Sequence, residues 1–277
     1  ESLKNKIRLA TILGTLQSNL TNFQFLSAEW TKNTKEERLL GVSLTGIMDA
    51  KITSNPDPKF LEELRDEANK VNKKYAKILG IEESKSITCV KPSGTVSQLV
   101  DSASGIHSRH SPYYIRTIRM DKKDSIYQFL KDKGVKVEDE AFRPDSTAVF
   151  SFPIKSPTNA ITRDDRTALE ELENWLIYQR HFCNHKPSVT INVREHEWME
   201  VGAWVYKYFD EISGISFLPH SDHSYQQAPY QECTKEEYQN LLVSTPSKID
   251  WSTFREEEDN TEGSQTLACT GNACEIT

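Results

Sequence analysis

The segment that most constrains the fold is Ser86 to Val90 together with the turn behind it. This β-branched, apolar run is broken by Pro92 and Gly94, after which Thr95 to Val100 can open a helix. A strand, a tight turn and a helix start in that order leave backbone N–H groups unpaired at the turn, where the helix dipole also favours an anion. Ser93, Gly94, Thr95, Val96 and Ser97 are therefore a candidate phosphate cradle, with Lys91 and Pro92 at its entrance. Ser93, Thr95 and Ser97 add hydroxyl donors. The same residues suit ordinary helix N-caps, and the local pattern leaves both readings open. It is not a P-loop, whose Gly-x-x-x-x-Gly-Lys-Ser/Thr spacing is missing from the sequence.

Around this segment the pattern alternates between helix and strand. Ile7, Leu9, Ala10, Leu13, Leu16 and Leu20 fall at helical spacing, and a second helix is expected before the turn at 31–34. Gly41-Val-Ser-Leu-Thr-Gly-Ile-Met-Asp49 reads as a strand and turn. Asp57-Pro58 starts a long helix with Phe60, Leu64, Ala68, Val71, Tyr75 and Ile78 along one face and Gly80 as its stop. Beyond the cradle come a short helix over 124–130, strands over 134–137 and 147–153, a helix over 162–181, a strand over 188–193, a helix over 195–208 and a strand over 214–218. Strands separated by helices predict a parallel α/β sheet, open or closed.

Three segments are expected: 1–233 as the α/β part, 234–254 as a short peripheral helix and extension, and 255–277 as a flexible, acidic and polar tail. The chain starts at Glu1, inside what reads as a helix, as a piece of a longer protein would. The net charge of −7 argues against a nucleic-acid surface, which needs clustered Lys and Arg. No run has the length of a membrane span and no apolar signal segment opens the chain, so a soluble, cytoplasmic location is expected.

Cys89, Cys183, Cys233, Cys269 and Cys274 are an odd set and do not read as a disulfide framework. Cys89, Cys183 and Cys233 are expected as reduced thiols. Cys269 and Cys274 lie beyond the polar stretch, where core packing does not account for them. A dithiol on a mobile arm can exchange with a buried disulfide and then be re-reduced. Zinc does not fit two cysteines without a nearby His. His220, Asp222 and His223 are too loosely spaced for a metal cluster and are read as site-lining or structural, and no metal site is expected. His107 and His110 are read as loop hydrogen-bonders, with substrate contact open for His107. Arg116 and Arg119 suit either phosphate or carboxylate partners.

Pro92-Ser-Gly-Thr-Val-Ser-Gln98, followed by Ser104-Gly-Ile-His107, resembles the substrate-phosphate loop of ribonucleotide reductases. Lys91 in front and Tyr113-Tyr-Ile-Arg116 behind resemble the monomeric, adenosylcobalamin-dependent class. Gly214-Ile-Ser-Phe-Leu-Pro-His-Ser-Asp-His-Ser-Tyr-Gln-Gln-Ala-Pro-Tyr230 resembles a second block of that class, and the Gly41–Asp49 motif also matches it. The resemblance implies the C-terminal half of a ten-stranded α/β barrel. It implies a ribonucleoside triphosphate as substrate, adenosylcobalamin as cofactor with contacts in this chain unassigned, and a thioredoxin-like reductant serving Cys269 and Cys274.

One expected element is missing from the sequence. Such reductases carry a thiyl-forming cysteine followed two positions later by glutamate, and this chain has no Cys-x-Glu. The effector-binding region and the first barrel half are missing as well, so an N-terminal part of the reductase is an implied partner, without which the chain is expected to be inactive. The alternatives are a stand-alone α/β nucleotide-binding protein without radical chemistry, or part of an iron-dependent or glycyl-radical reductase. No glycyl-radical motif ends the chain.

Overall fold

The structure, a computed structural model, describes residues 1–94, 96–220 and 226–256. The chain forms two compact units: Glu1–Arg109 with Asn159–Pro219, and His110–Thr158 with His220–Thr277. These limits differ from the expected boundary at 233, because residues 110–158 leave the first unit and the chain then returns to it; the expected tail lies, from 257 on, outside the described residues.

In chain order the first unit begins with α1 (Ser2–Gln17), α2 (Ala28–Glu37), β1 (Val42–Ser43), α3 (Lys51–Ser54), α4 (Pro58–Leu79), β2 (Thr88–Cys89) and α5 (Val96–Leu99). The second unit then contributes β3 (Tyr113–Asp121), α6 (Ser125–Asp132), β4 (Val137–Asp139) and β5 (Thr147–Lys155). The first resumes with α7 (Ala168–His181), β6 (Val189–Val193), α8 (Trp198–Lys207) and β7 (Ile215–Pro219), and the second closes with β8 (Tyr230–Glu232) and α9 (Lys235–Ser244).

Helix α4 follows its sequence signals at both ends. The Asp57 side chain accepts from Lys59 N at 3.0 Å, Pro58 occupies the first turn, and Gly80 closes the helix at φ +67°. Its buried stripe keeps the expected Leu64, Ala68 and Val71 but is rotated toward Leu61, Asn72 and Ala76, leaving Ile78 exposed. The rotation follows from α1, which packs along α4 through Ile7, Thr11 and Thr15. Thr11 and Thr15 can be buried because each hydroxyl donates to the carbonyl four residues back, at 2.7 Å, and Asn72 donates to Thr15 at 3.0 Å. Leu9, Leu13 and Leu16 are left outside, at 67%, 59% and 47% exposed.

In the first unit β1 pairs with β2 and β6 with β7, all parallel. A parallel bridge from Val90 to Pro187 joins the pairs, with Val90 N donating to Lys186 O and Ser188 N donating to Val90 O at 2.8 Å. The spatial order β1-β2-β6-β7 is thus the chain order. Crossovers of one hand between strands in that order place every connecting helix on the same face. Val42, Val90, Val189, Ile191 and Val193 accordingly share a core with Leu61, Leu64, Leu172, Trp175, Leu176, Val201 and Trp204. Trp175 donates from its indole to Pro187 O at 2.7 Å and Tyr178 from its hydroxyl to Thr53 O at 2.8 Å, so both buried polar tips are satisfied. Helix α7 starts at Ala168 rather than 162, because Thr167 and Glu170 form a capping box and Asp165 holds Thr162 in a turn.

The second unit departs from the expected parallel pairing. Its sheet, in the order β4-β5-β3-β8, is antiparallel throughout, with Tyr113 opposite Lys155 and Asp121 opposite Thr147. Asp124 caps α6 by accepting from Ile126 N at 3.0 Å, and Tyr127 and Leu130 pack with Val135, Ala148 and Phe150. Strand β4 covers 137–139 instead of 134–137, because Gly134 takes φ +82° to end the α6 segment.

Candidate functional site

In parallel α/β units, ligands collect at the carboxyl ends of the strands, and the cradle residues follow β2 there. Lys91, Pro92 and Gly94 are exposed, Ser93 is half-buried and Ser97 is buried. Ser93 Oγ accepts from Ser97 N at 2.9 Å, while Ser97 Oγ donates to Ser93 O at 2.6 Å. Ser93 is therefore an N-cap, and Ser97 spends its hydroxyl inside the loop rather than offering it outward. Ser93 keeps its own hydroxyl proton for donation. Helix α5 is a single turn, so its dipole contributes little. A Cβ at Gly94 would meet nothing within 4 Å, and the backbone there faces open space. Thr95, Cys269 and Cys274 lie outside the described residues.

The cradle is held from below by the turn at 101–107. Ser93 N donates to Ser104 Oγ at 2.7 Å. Gly105, at φ +55°, lies against Lys91: a Cβ there would collide with the Lys91 carbonyl oxygen and sit 3.1 Å from its carbon. Thr45 Oγ1 accepts from Gly105 N and donates to Ala103 O, each at 3.0 Å. Asp49 accepts from Ala103 N at 2.7 Å and takes a two-pronged ion pair from the buried Arg109, at 2.8 and 2.9 Å. Arg109 also donates to Asp101 O at 2.7 Å. The Gly41–Asp49 motif is thus the clamp for the turn that supports the cradle.

His107 completes this support. Its Nδ1 donates to Ser104 O and its Nε2 accepts from Thr190 N on β6, both at 3.0 Å, which fixes one neutral tautomer. Burial holds its pKa below the ordinary histidine value. With both nitrogens committed to backbone, His107 acts as a brace, and the substrate contact left open for it does not fit this geometry.

His220 is half-buried and directly follows Pro219, the last residue of β7. Arg116 lies over the Tyr230 ring at 4.2 Å, and Arg119 pairs with Glu140 at 3.5 Å, so both arginines have partners within the second unit. Tyr114, Tyr230 and His110 pack ring to ring, and Arg116 stands opposite Tyr230 across β3 and β8. The ends of the two motif blocks, far apart in sequence, are neighbours in one sheet.

Burial pushes the Cys89 thiol up, opposed by nearby Lys91 and by its bond to Ser43. Cys183 is pushed up further, by burial and by the neighbouring Cys89, and Cys233 is raised by burial with Glu237 and Glu232. All three are free thiols, as expected, and none has the low pKa of a reactive thiolate. Burial also pushes the Glu171 carboxyl up to about 7, against the opposing effects of Ser108 and Arg166; Ser108 Oγ donates to Glu171 at 3.1 Å. Among the described residues no group of three or more His, Cys, Asp or Glu is placed to hold a metal ion, and no helix is long and apolar enough to cross a membrane.

The residues that sequence reasoning missed are Thr45, Asp49, Ser104 and Arg109. Asp49 closes the glycine-containing motif and Ser104 and Arg109 flank Gly-Ile-His, but only the fold shows Asp49 paired with Arg109 and Thr45 and Ser104 bonded to the cradle and its supporting turn.

The chain is 29% identical over 243 residues to the adenosylcobalamin-dependent ribonucleoside-triphosphate reductase of Euglena gracilis, covering 86% of this chain and 33% of that protein. It is 26% identical over 275 residues to the reductase of the same description from Lactobacillus leichmannii, covering 87% and 37%. A solved B12-dependent, class II ribonucleotide reductase superposes with a TM-score of 0.76 at 24% identity, covering 89% of this chain and 38% of the other, a likeness of fold. The resemblance carried by the two motif blocks thus extends over most of the chain, which spans about a third of the length of these curated relatives. No protein-family model matches it.

Proposed function

We propose that this chain is the C-terminal portion of a ribonucleoside-triphosphate reductase, supplying the substrate-phosphate loop and the terminal dithiol. The observation that carries the reading is the cradle and its clamp. Lys91–Gly94, with Gly94 facing open space, and Ser97 stand at the end of β2, held through Gly105 and the Asp49–Arg109 pair, all within stretches that resemble the reductase blocks. Backbone N–H groups of the loop, Ser93 Oγ, Thr95 and the exposed Lys91 would hold the triphosphate.

The uncovered surfaces support an incomplete assembly. Parallel sheets are normally buried on both faces, yet strand alternation places Ser43, Cys89, Thr190, Asn192 and Ser216 on the face away from the helices, where Ser43 and Ser216 are exposed. In a closed ten-stranded barrel this polar face would line the interior. Leu9, Leu13 and Leu16 form an exposed stripe on α1 that a further portion of the reductase would cover. That portion would bring the Cys-x-Glu loop, whose thiyl radical abstracts the ribose 3′ hydrogen before water leaves from C2′.

Each turnover oxidises a pair of cysteines to a disulfide. Cys269 or Cys274, as thiolate, would attack that disulfide to give a mixed disulfide. The second tail cysteine would then release the reduced pair and leave the tail oxidised, for two-electron reduction by a thioredoxin-like protein. Adenosylcobalamin supplies the radical when bound.

The test is calorimetric titration of the chain with a ribonucleoside triphosphate, in competition with tripolyphosphate, and a turnover assay with adenosylcobalamin and a dithiol. Binding that tripolyphosphate displaces, without turnover, is expected. No binding, or ribonucleotide reduction by the chain alone, would overturn the proposal.

A further inference from the structure

Strand β6 divides its residues sharply between two faces. Val189, Ile191 and Val193 enter the helix-side core, while Thr190 and Asn192 point the other way, with Thr190 beside Ser216 and Asn192 beside Leu218 on β7. Asn192 is half-buried, its Oδ1 is fully shielded, and that oxygen has no hydrogen-bond partner among the described residues. A buried amide oxygen without a donor weakens the fold and implies that something else supplies one. On the same face Ser43 Oγ accepts from Lys91 N at 3.1 Å, and the Thr190 backbone N donates to His107.

The position of Asn192 is informative. Thr190 is tied through His107 to the turn beneath the phosphate cradle, and Asn192 stands two residues farther toward the carboxyl end of the same strand, about 7 Å along it. A primary amide presents one acceptor and one donating group side by side. Two adjacent ribose hydroxyls, each able to give and accept, match that pair.

We propose that Asn192 reads the 2′,3′-diol of the bound ribonucleotide, its Oδ1 accepting from one hydroxyl and its Nδ2 donating to the other. The proposal rests on the reading of Lys91–Ser97 as the phosphate site and adds a specificity residue to it. Asn192 then acts on affinity and on the choice between ribo- and deoxyribonucleotides.

The experiment measures dissociation constants of the chain for ATP, 2′-deoxyATP, 3′-deoxyATP and tripolyphosphate, in the wild type and in Asn192→Ala and Asn192→Asp, with thermal unfolding run on each. The wild type should prefer ATP over either deoxynucleotide by about three- to tenfold, the range of one hydrogen bond. Asn192→Ala should bring that ratio close to one with tripolyphosphate affinity unchanged, a pattern that a merely structural role would not give. Should the alanine variant not fold, the isosteric Asn192→Asp, which keeps the acceptor and loses the donor, should lower the ratio in its place. A folded variant that keeps the wild-type ratio overturns the proposal, as does a wild type that binds tripolyphosphate but shows no ribose preference. A wild type that binds neither nucleotide nor tripolyphosphate removes the phosphate site itself, and this inference with it.

Discussion

Gly105→Ala isolates the contact on which the cradle depends. Gly105 sits at φ +55°, and an added Cβ would meet the Lys91 carbonyl oxygen and lie 3.1 Å from its carbon. The left-handed conformation costs a residue with a Cβ about 1–2 kcal/mol. Displacing a backbone carbonyl, which unlike a side chain has no alternative rotamer, adds about 1–3 kcal/mol. The expected loss of stability is therefore about 2–5 kcal/mol, read by urea unfolding of the chain. Because the carbonyl that must move belongs to the first residue of the cradle, nucleotide affinity should fall in native buffer even where the variant stays folded. Gly202→Ala is the control: it lies in α8 with nothing within 4 Å of its added Cβ, and should gain up to about 1 kcal/mol. If Gly105→Ala unfolds at the wild-type urea midpoint and binds nucleotide as well as wild type, the support assigned to the 101–107 turn is wrong.

Other tests address separate parts of the account. Arg109→Met leaves the Asp49 carboxylate without its buried partner and should cost about 3–5 kcal/mol in chemical denaturation, far more than loss of an exposed pair such as Lys4–Glu63. Glu171 has a folded-state pKa near 7 against an ordinary 4.5, so the folded protein holds a proton that the unfolded chain releases; its contribution is full below about pH 4.5 and is lost as pH rises through about 7. Glu171→Gln should flatten stability across that window and leave the variant more stable than wild type at about pH 8. Leu13→Lys, on the exposed stripe of α1, should change the stability of the chain by no more than about 0.5 kcal/mol yet prevent it from joining the rest of a reductase, as read by co-purification.

Where the fold was legible, the signals were local. Asp57, Pro58 and Gly80 bound α4 because capping and left-handed termination are decided within a few residues. The apolar run before Pro92 and Gly94 marks β2 for the same reason. The stripe of α1 was not legible, because burial there falls on threonines whose hydroxyls are satisfied by their own helix, while the leucines face outward. Nor was β3: Arg116, Thr117 and Arg119 interrupt its apolar pattern, and its partners Gln231 and Pro153 come from distant parts of the chain.

The site divides in the same way. Lys91–Ser97 was visible as turn chemistry, but the inward bonding of Ser97 was not, since an N-cap and a ligand donor use the same residue types. The role of His107 depends on Thr190, 83 positions away. Asn192 did leave a trace, as the polar member of an alternating Val-Thr-Ile-Asn-Val run. Which face that alternation exposes is known only once the helices are placed.

The most direct test of the central claim is turnover by a chimera in which this chain replaces the matching region of the Lactobacillus leichmannii reductase, assayed with adenosylcobalamin, a ribonucleoside triphosphate and a thioredoxin system. The account predicts deoxynucleotide formation by the chimera and none by this chain alone. It also predicts that Cys269→Ser with Cys274→Ser stops thioredoxin-driven turnover while a small dithiol still supports it. A folded chimera that forms no deoxynucleotide, or a double variant that keeps full thioredoxin-driven turnover, would contradict it.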